Sequence, residues 1–245
     1  MDLNDDTVRS ADVVSLAGQP IYRHGAPSEW QAPQGEDCCE QISDHIEQYL
    51  GRAETVFHEI FSDTVHIDVF WVKPSEDFPF HRLVTSGMSD LPMRTPEGAP
   101  RFAELMMTLP ADWQVDQASF EDEAWYWPVR LLKMLARLPH KHDTWLGFGH
   151  TVPNGDPPEP YAANTALCGA IILPSISAPQ AFHRLPIDSG KEITFYAVVP
   201  LFENEMNLKL RKGVDELLSL FDKRKVSDIV DLARADVSKK RFGIF

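Results

Sequence analysis

Residues 66–93 read HIDVFWVKPSEDFPFHRLVTSGMSDLPM, and their pattern decides what kind of fold this chain adopts. Val65, Ile67, Val69 and Trp71 alternate with His66, Asp68 and Phe70. Period-two alternation of this kind predicts a strand over Val65–Val72 with one strongly apolar face. Pro74 to Pro79 is a polar connection. Arg82–Ser86 is a second β-branched run, so a second strand is expected there. Ser86-Gly87-Met88-Ser89-Asp90 follows it. Small polar residues around a glycine build a tight turn through hydrogen bonds between side chains and backbone.

The period changes in the next informative stretch, Trp127–Pro160, WPVRLLKMLARLPHKHDTWLGFGHTVPNGDPPEP. Glu121-Asp122-Glu123 precedes it, and acidic residues favour the positive end of a helix dipole. A helix is expected from about 124 to 138, with Leu131, Leu132, Leu135 and Leu138 as its buried stripe. Pro128 fits the first turn, which puts the regular part near Trp127, and Pro139 should end the helix. A strand is expected over Thr144–Phe148, then a turn over His150–Asp156, where Asn154-Gly155 tolerates positive φ.

Outward from these two stretches, residues 1–36 read as irregular, broken by Pro20, Pro27, Pro33, Gly18, Gly25 and Gly35. Asp37 is placed to cap a helix over 37–50, with Ile42, Ile46, Tyr49 and Leu50 on one face and Gly51 as its stop. Further strands are expected at Thr55–Phe61, Leu167–Leu173 and Glu192–Val199. The last two are nearly continuously apolar, as in strands covered on both faces. Phe102–Leu109 permits strand or helix. A long helix over 202–221 carries Met206, Leu210, Val214, Leu217 and Phe221 at helical spacing, with Glu205 and Lys209 as an i,i+4 pair. A short helix over Ser227–Ala233 leads to a basic tail, Ser238-Lys239-Lys240-Arg241. The reading is one α/β (α+β) domain over 37–233, between an irregular segment (1–36) and a basic tail (234–245). Its sheet is mixed or largely antiparallel and is packed by amphipathic helices.

The chain has 245 residues, 43% of them hydrophobic, enough for a sizeable core. No apolar run is long enough to span a bilayer, and the acidic start lacks the basic and apolar regions of a secretory signal. Three cysteines, two of them adjacent, make no disulfide framework and suit a reducing cytoplasm. A net charge of −14 disfavours nucleic acid as a partner and favours a basic protein.

No catalytic signature is complete. Ser89 lies two residues after Gly87, but position 91 is Leu where a hydrolase elbow needs Gly, and Pro92 and Pro96 block the helix that should follow. Ser89, Asp90 and His150 remain the alternative hydrolase set. Gly147-Phe148-Gly149 lacks the third glycine of a dinucleotide loop, since position 152 is Val. His140, His142 and His150, with Asp143 or Cys168, match no zinc spacing, so neither metal nor cofactor is expected. Trp113, Trp125, Tyr126, Trp127 and Trp145 read as core, or as interaction anchors where exposed.

Several blocks in order carry a resemblance: His66-Ile67-Asp68-Val69, Leu83 to Asp90, Trp127-Pro128 with Leu131 to Arg137, Gly149 to Gly155, and Phe195–Leu201. From about Asp37 to Leu232 the chain resembles the Suppressor of Fused family, and specifically the N-terminal domain of its longer animal members. The resemblance implies a binding protein and not an enzyme. In animal members a partner segment is added as a strand between two domains, and those contacts transfer to no named position here. Short members of this kind look bacterial, and relatives occur beside polymorphic toxins as presumed immunity proteins. The resemblance therefore implies a non-catalytic protein-binding module with a protein partner, a basic toxin among the candidates.

Overall fold

The computed structural model describes residues 13–25, 35–58, 64–187 and 190–239. Its centre is an eight-stranded sheet. Four strands come first: β3 (Ala53–Phe57), β4 (Asp68–Val72), β5 (Phe80–Ser86) and β6 (Phe102–Pro110). The others are β7 (Thr151–Pro153), β8 (Gly169–Leu173), β9 (Arg184–Pro186) and β10 (Glu192–Leu201). The order is β3-β4-β5-β6-β10-β8-β7, with β9 also paired to β10. All pairings are antiparallel except β6 with β10, so the sheet is mixed. A small hairpin, β1 (Val13–Val14) with β2 (Pro20–Ile21), stands in the segment read as irregular.

The alternation read from residues 66–72 extends across the sheet. Ile67, Val69, Leu83, Leu105, Met107, Ile172 and Val198 face one side and pack under α2 (Glu123–Lys141) through Trp127, Leu131, Leu132 and Leu135. Phe70, Val72, Val84, Met106, Ile171, Phe195 and Val199 face the other. That side is covered by α1 (Cys39–Tyr49), α3 (Glu203–Lys212) and α4 (Val214–Arg224). Both faces are buried, which is why β8 and most of β10 are apolar.

Phe102–Pro110 is strand, the first of the two readings its composition allowed, since its alternate residues bury on opposite faces. Several other local expectations need correction. The helix beginning at Glu123 includes both prolines. The Asp122 side chain caps it by accepting from the Ala124 N–H at 2.8 Å. Pro128 removes a partner from the Ala124 carbonyl, and Asn164 Nδ2 supplies one at 3.2 Å. Pro139 does not end the helix, which runs on to Lys141.

Thr144–Phe148 forms no strand. The strand lies at Thr151–Pro153, inside the expected turn, because those residues find the edge of β8. The single long helix over 202–221 is two helices, broken where Gly213 takes φ +92°. Glu205 does not pair with Lys209. It is fully buried and held by Arg234, with Nη1–Oε1 at 2.6 Å and Nη2–Oε2 at 2.7 Å.

Ser227–Ala233 is not helical. β10 leaves β6 after the Ala197–Met106 pair, and residue 230 bonds the vacated edge, N–H to the Thr108 carbonyl at 2.8 Å. Parts of the expected strand at 55–61 and of the basic tail fall outside the described residues.

Candidate functional site

The register aligns a row of polar side chains across one end of the sheet. Asp68 pairs with Ser86 across β4 and β5. Phe57 pairs with Val69, so one further step brings His58 opposite Asp68. Val84 pairs with Met106, so two further steps bring Ser86 opposite Glu104. Even-numbered residues of β4 and β6 face the α1 side. The row His58, Asp68, Ser86, Glu104 therefore lies on that face, and the N-terminus of α1 sits over it. Asp37 Oδ1 accepts from the Cys39 N–H at 2.8 Å there, but the N-cap residue is Cys38 and carries no side-chain cap, so Asp37 stands one residue outside the expected capping position.

Glu104 organises the turn that follows β5. It is fully buried in the middle of an apolar strand. Its Oε1 accepts from Gly87 N at 3.0 Å, Ser89 N at 2.9 Å and Ser89 Oγ at 2.7 Å, and its Oε2 accepts from Thr85 Oγ1 at 2.5 Å. Thr85 Oγ1 in turn accepts from Leu105 N at 2.8 Å. Burial pushes the Glu104 carboxyl up, against the pull of those four donors. Gly87 is obligatory: φ is +115°, and a Cβ there would lie 1.8 Å from the His66 carbonyl oxygen.

Asp90 closes the turn. Its carboxyl is pushed up to about 7 by burial and by the charges of Glu104 and Asp37, with Lys191 opposing. Lys191 is itself buried, with Nζ 3.2 Å from Cys38 Sγ and 3.4 Å from the Glu36 carbonyl oxygen. From the opposite face, His140 Nε2 meets the Met88 carbonyl at 2.8 Å.

The hydrolase set is not assembled. Ser89 is fully buried and its hydroxyl is bound to Glu104. His150 lies elsewhere, its ring 4.1 Å from that of Trp145 and its carbonyl accepting from Ile172 N. Burial, then the Lys209 charge, hold His150 down to about 4. No hydrogen bond of Ser89 or Asp90 reaches His150.

The histidines weighed for metal are also dispersed. His142 stacks on His24, Asp143 pairs with Arg94, and Cys168 is buried in the core under α3. The aromatic concentration is mostly core. Trp113 and Trp127 are buried, Trp127 stacks on Tyr161 at 5.0 Å, and Trp125, Tyr126 and Trp145 pack half-buried around them.

A different group stands closest to metal-ligand geometry among the described residues. His58 Nδ1 lies 2.9 Å from Asp68 Oδ2, and His66 Nε2 lies 3.0 Å from Asp68 Oδ1. Sequence reasoning missed it because His58 and Asp68 meet only through strand pairing. The i,i+2 spacing of His66 and Asp68 was the one available signal. Glu104 was missed too, although a lone carboxylate in an apolar strand demands a buried partner.

The family model described as Suppressor of fused protein matches residues 63–235. A crystal structure of a putative homologue from Neisseria gonorrhoeae FA 1090 is similar, with TM-score 0.60 and 17% identity over 82% of this chain and 97% of that one. A chain of the crystallised Sufu–Fu complex gives TM-score 0.59 and 14% identity over 83% and 93%. Drosophila Suppressor of Fused gives 0.57 and 15%; the match covers 87% of this chain and 54% of the fly protein. No curated protein matches. The matched span takes in the Glu104-held turn, most of the sheet and α2 to α4, and on that evidence this chain belongs to the Suppressor of fused family.

Proposed function

We propose that this protein acts by binding another protein and carries no catalytic centre of its own, and that its partner is a basic protein, a toxin neutralised in the same cytoplasm. The observation that carries the reading is family membership over most of the chain, together with a relative of the same fold that was crystallised in complex with Fu. The partner of that relative is a protein, so a protein partner is the economical expectation here. The interior of the candidate site supports it. Within the turn from Ser86 to Asp90, the Gly87 N–H and the Ser89 N–H and hydroxyl all bond Glu104, which leaves Ser89 held inside the fold and away from any substrate.

Net charge supports the basic partner. At −14, complementary potential raises the rate of encounter more than the final affinity. The aromatic cluster lends no support, because it is turned inward. Exposed apolar contacts would instead come from residues such as Phe148 and Ile176, 52% and 72% exposed. The immunity role rests on the family resemblance and the charge alone.

The test is capture by the tagged chain from its native cell at physiological salt, identification of the captured protein, and kinetic measurement with the purified pair. A one-to-one complex whose association rate falls steeply with added salt is expected. Recovery of no protein partner, with turnover in a small-molecule assay, refutes the binding reading. A captured partner with a salt-insensitive association rate refutes the basic-partner claim alone.

A further inference from the structure

We propose that His58, His66 and Asp68 form a surface site for a divalent transition-metal ion of zinc type. The argument begins with placement. His66 and Asp68 are two residues apart on one strand line, so their side chains emerge on the same face. His58 reaches that face from the neighbouring strand, opposite Asp68. Three donor atoms converge, Asp68 from β4 and the two histidines from the segments that adjoin β3 and β4, and all lie within 4.8 Å of one another. Zinc binds imidazole nitrogen and carboxylate oxygen at about 2.0–2.2 Å, which sets tetrahedral ligand atoms about 3.3 Å apart. The spacings of 2.9 and 3.0 Å, each to a different oxygen of Asp68, are near that value; the two ring nitrogens lie within 4.8 Å of each other and close by up to about 1.5 Å as an ion enters.

Chemistry selects the class of ion. Two imidazoles and one carboxylate suit zinc and its neighbours, whereas calcium and magnesium need shells of oxygen. Asp68 is the buried member, its side chain 11% exposed, while those of His58 and His66 are 69% and 44% exposed. The carboxylate is thus fixed by the sheet, and the histidines close over it from solvent. Three protein ligands leave a tetrahedral zinc ion one further position for water or another donor. Local charge favours a cation, since Asp90 lies close enough to feel the Asp68 carboxylate and Asp37 adds to the same field around Cys39. Lys133 is the opposing cation, with Nζ 3.4 Å from the His58 carbonyl oxygen. With no ion bound, His58 Nδ1 is hydrogen-bonded to Asp68 Oδ2 and His66 Nε2 pairs with Asp68 Oδ1; the metal takes the place of the hydrogens held there.

Calorimetric titration of the full chain with zinc ion at neutral pH tests the site. One ion per chain is expected. His58→Ala and His66→Ala should each weaken binding by about tenfold or more, with unchanged circular dichroism. Asp68→Asn should do the same; because Asp68 lies within the sheet, the two histidine variants decide if it misfolds. His140→Ala with His142→Ala should leave affinity unchanged, and calcium should not compete. NMR of the imidazole rings should show metal at Nδ1 of His58 and Nε2 of His66. Absence of stoichiometric uptake, or uptake untouched by His58→Ala and His66→Ala, overturns the assignment.

Discussion

Replacing Glu104 by Ala should be among the most damaging single changes in this protein. The side chain serves four donors: Gly87 N, Ser89 N, Ser89 Oγ and Thr85 Oγ1. The two hydroxyls can rotate toward other acceptors, but the two backbone N–H groups cannot. A buried donor left unsatisfied costs about 1–3 kcal/mol, so the two amides alone cost about 2–6 kcal/mol. The vacated volume adds to this unless water enters it. We expect a loss of roughly 3–5 kcal/mol, a large share of the 5–15 kcal/mol that holds a typical domain. Glu104→Gln is the informative control. Its carbonyl oxygen can accept from Gly87 and Ser89, and its amide can donate to Thr85 Oγ1. It should cost no more than about 1.5 kcal/mol. Urea denaturation followed by tryptophan fluorescence and far-UV circular dichroism gives both values. If Glu104→Ala lies within about 1 kcal/mol of the parent, or if Gln is as harmful as Ala, the carboxylate does not hold the turn and the reasoning fails.

Three further outcomes follow from the same structure. Gly87→Ala should prevent folding or cost more than about 4 kcal/mol, because its Cβ meets the His66 carbonyl at 1.8 Å; soluble, cooperatively melting protein would contradict this. Arg234→Ala should cost about 3–5 kcal/mol by leaving the buried Glu205 carboxylate without its bidentate partner, whereas Arg234→Lys should recover only part; denaturant midpoints of the two variants decide it. His150 is held down to about 4, below its ordinary 6.5, so the unfolded chain takes up a proton that the native state refuses. Its contribution is present above pH 6.5 and is lost as pH falls from 6.5 toward 4, by up to about 3 kcal/mol. His150→Phe should flatten that part of the stability–pH curve, and an unchanged curve would count against the burial argument.

The sequence by itself determined what depends on near neighbours. Alternation in Val65–Val72 marked a strand because successive side chains point to opposite faces of a sheet, and the continuous apolar run in Glu192–Val199 marked one covered on both faces. The leucines at 131, 132, 135 and 138 marked a helix because residues three and four apart share its face. Gly87 marked a turn because φ +115° there is tolerable only without a Cβ. Membership in a protein family was legible because several such blocks occur in order.

Tertiary structure decided whatever depends on a distant partner. Pro128 lies in the second turn of α2 and not the first, since Asn164 supports the carbonyl it strands. Gly213 breaks one apolar stripe into two helices as the chain turns across the sheet. Residues 227–233 abandon a helical pattern to occupy the edge of β6 that β10 vacates. The candidate sites belong to this second kind. Glu104 reaches the turn at 85–89 from another strand, and His58 meets Asp68 only through the register of β3 against β4. Local periodicity reports which face a residue occupies. Only strand pairing reports which other residue stands opposite it, because the energy that selects a register is spread over the whole buried sheet.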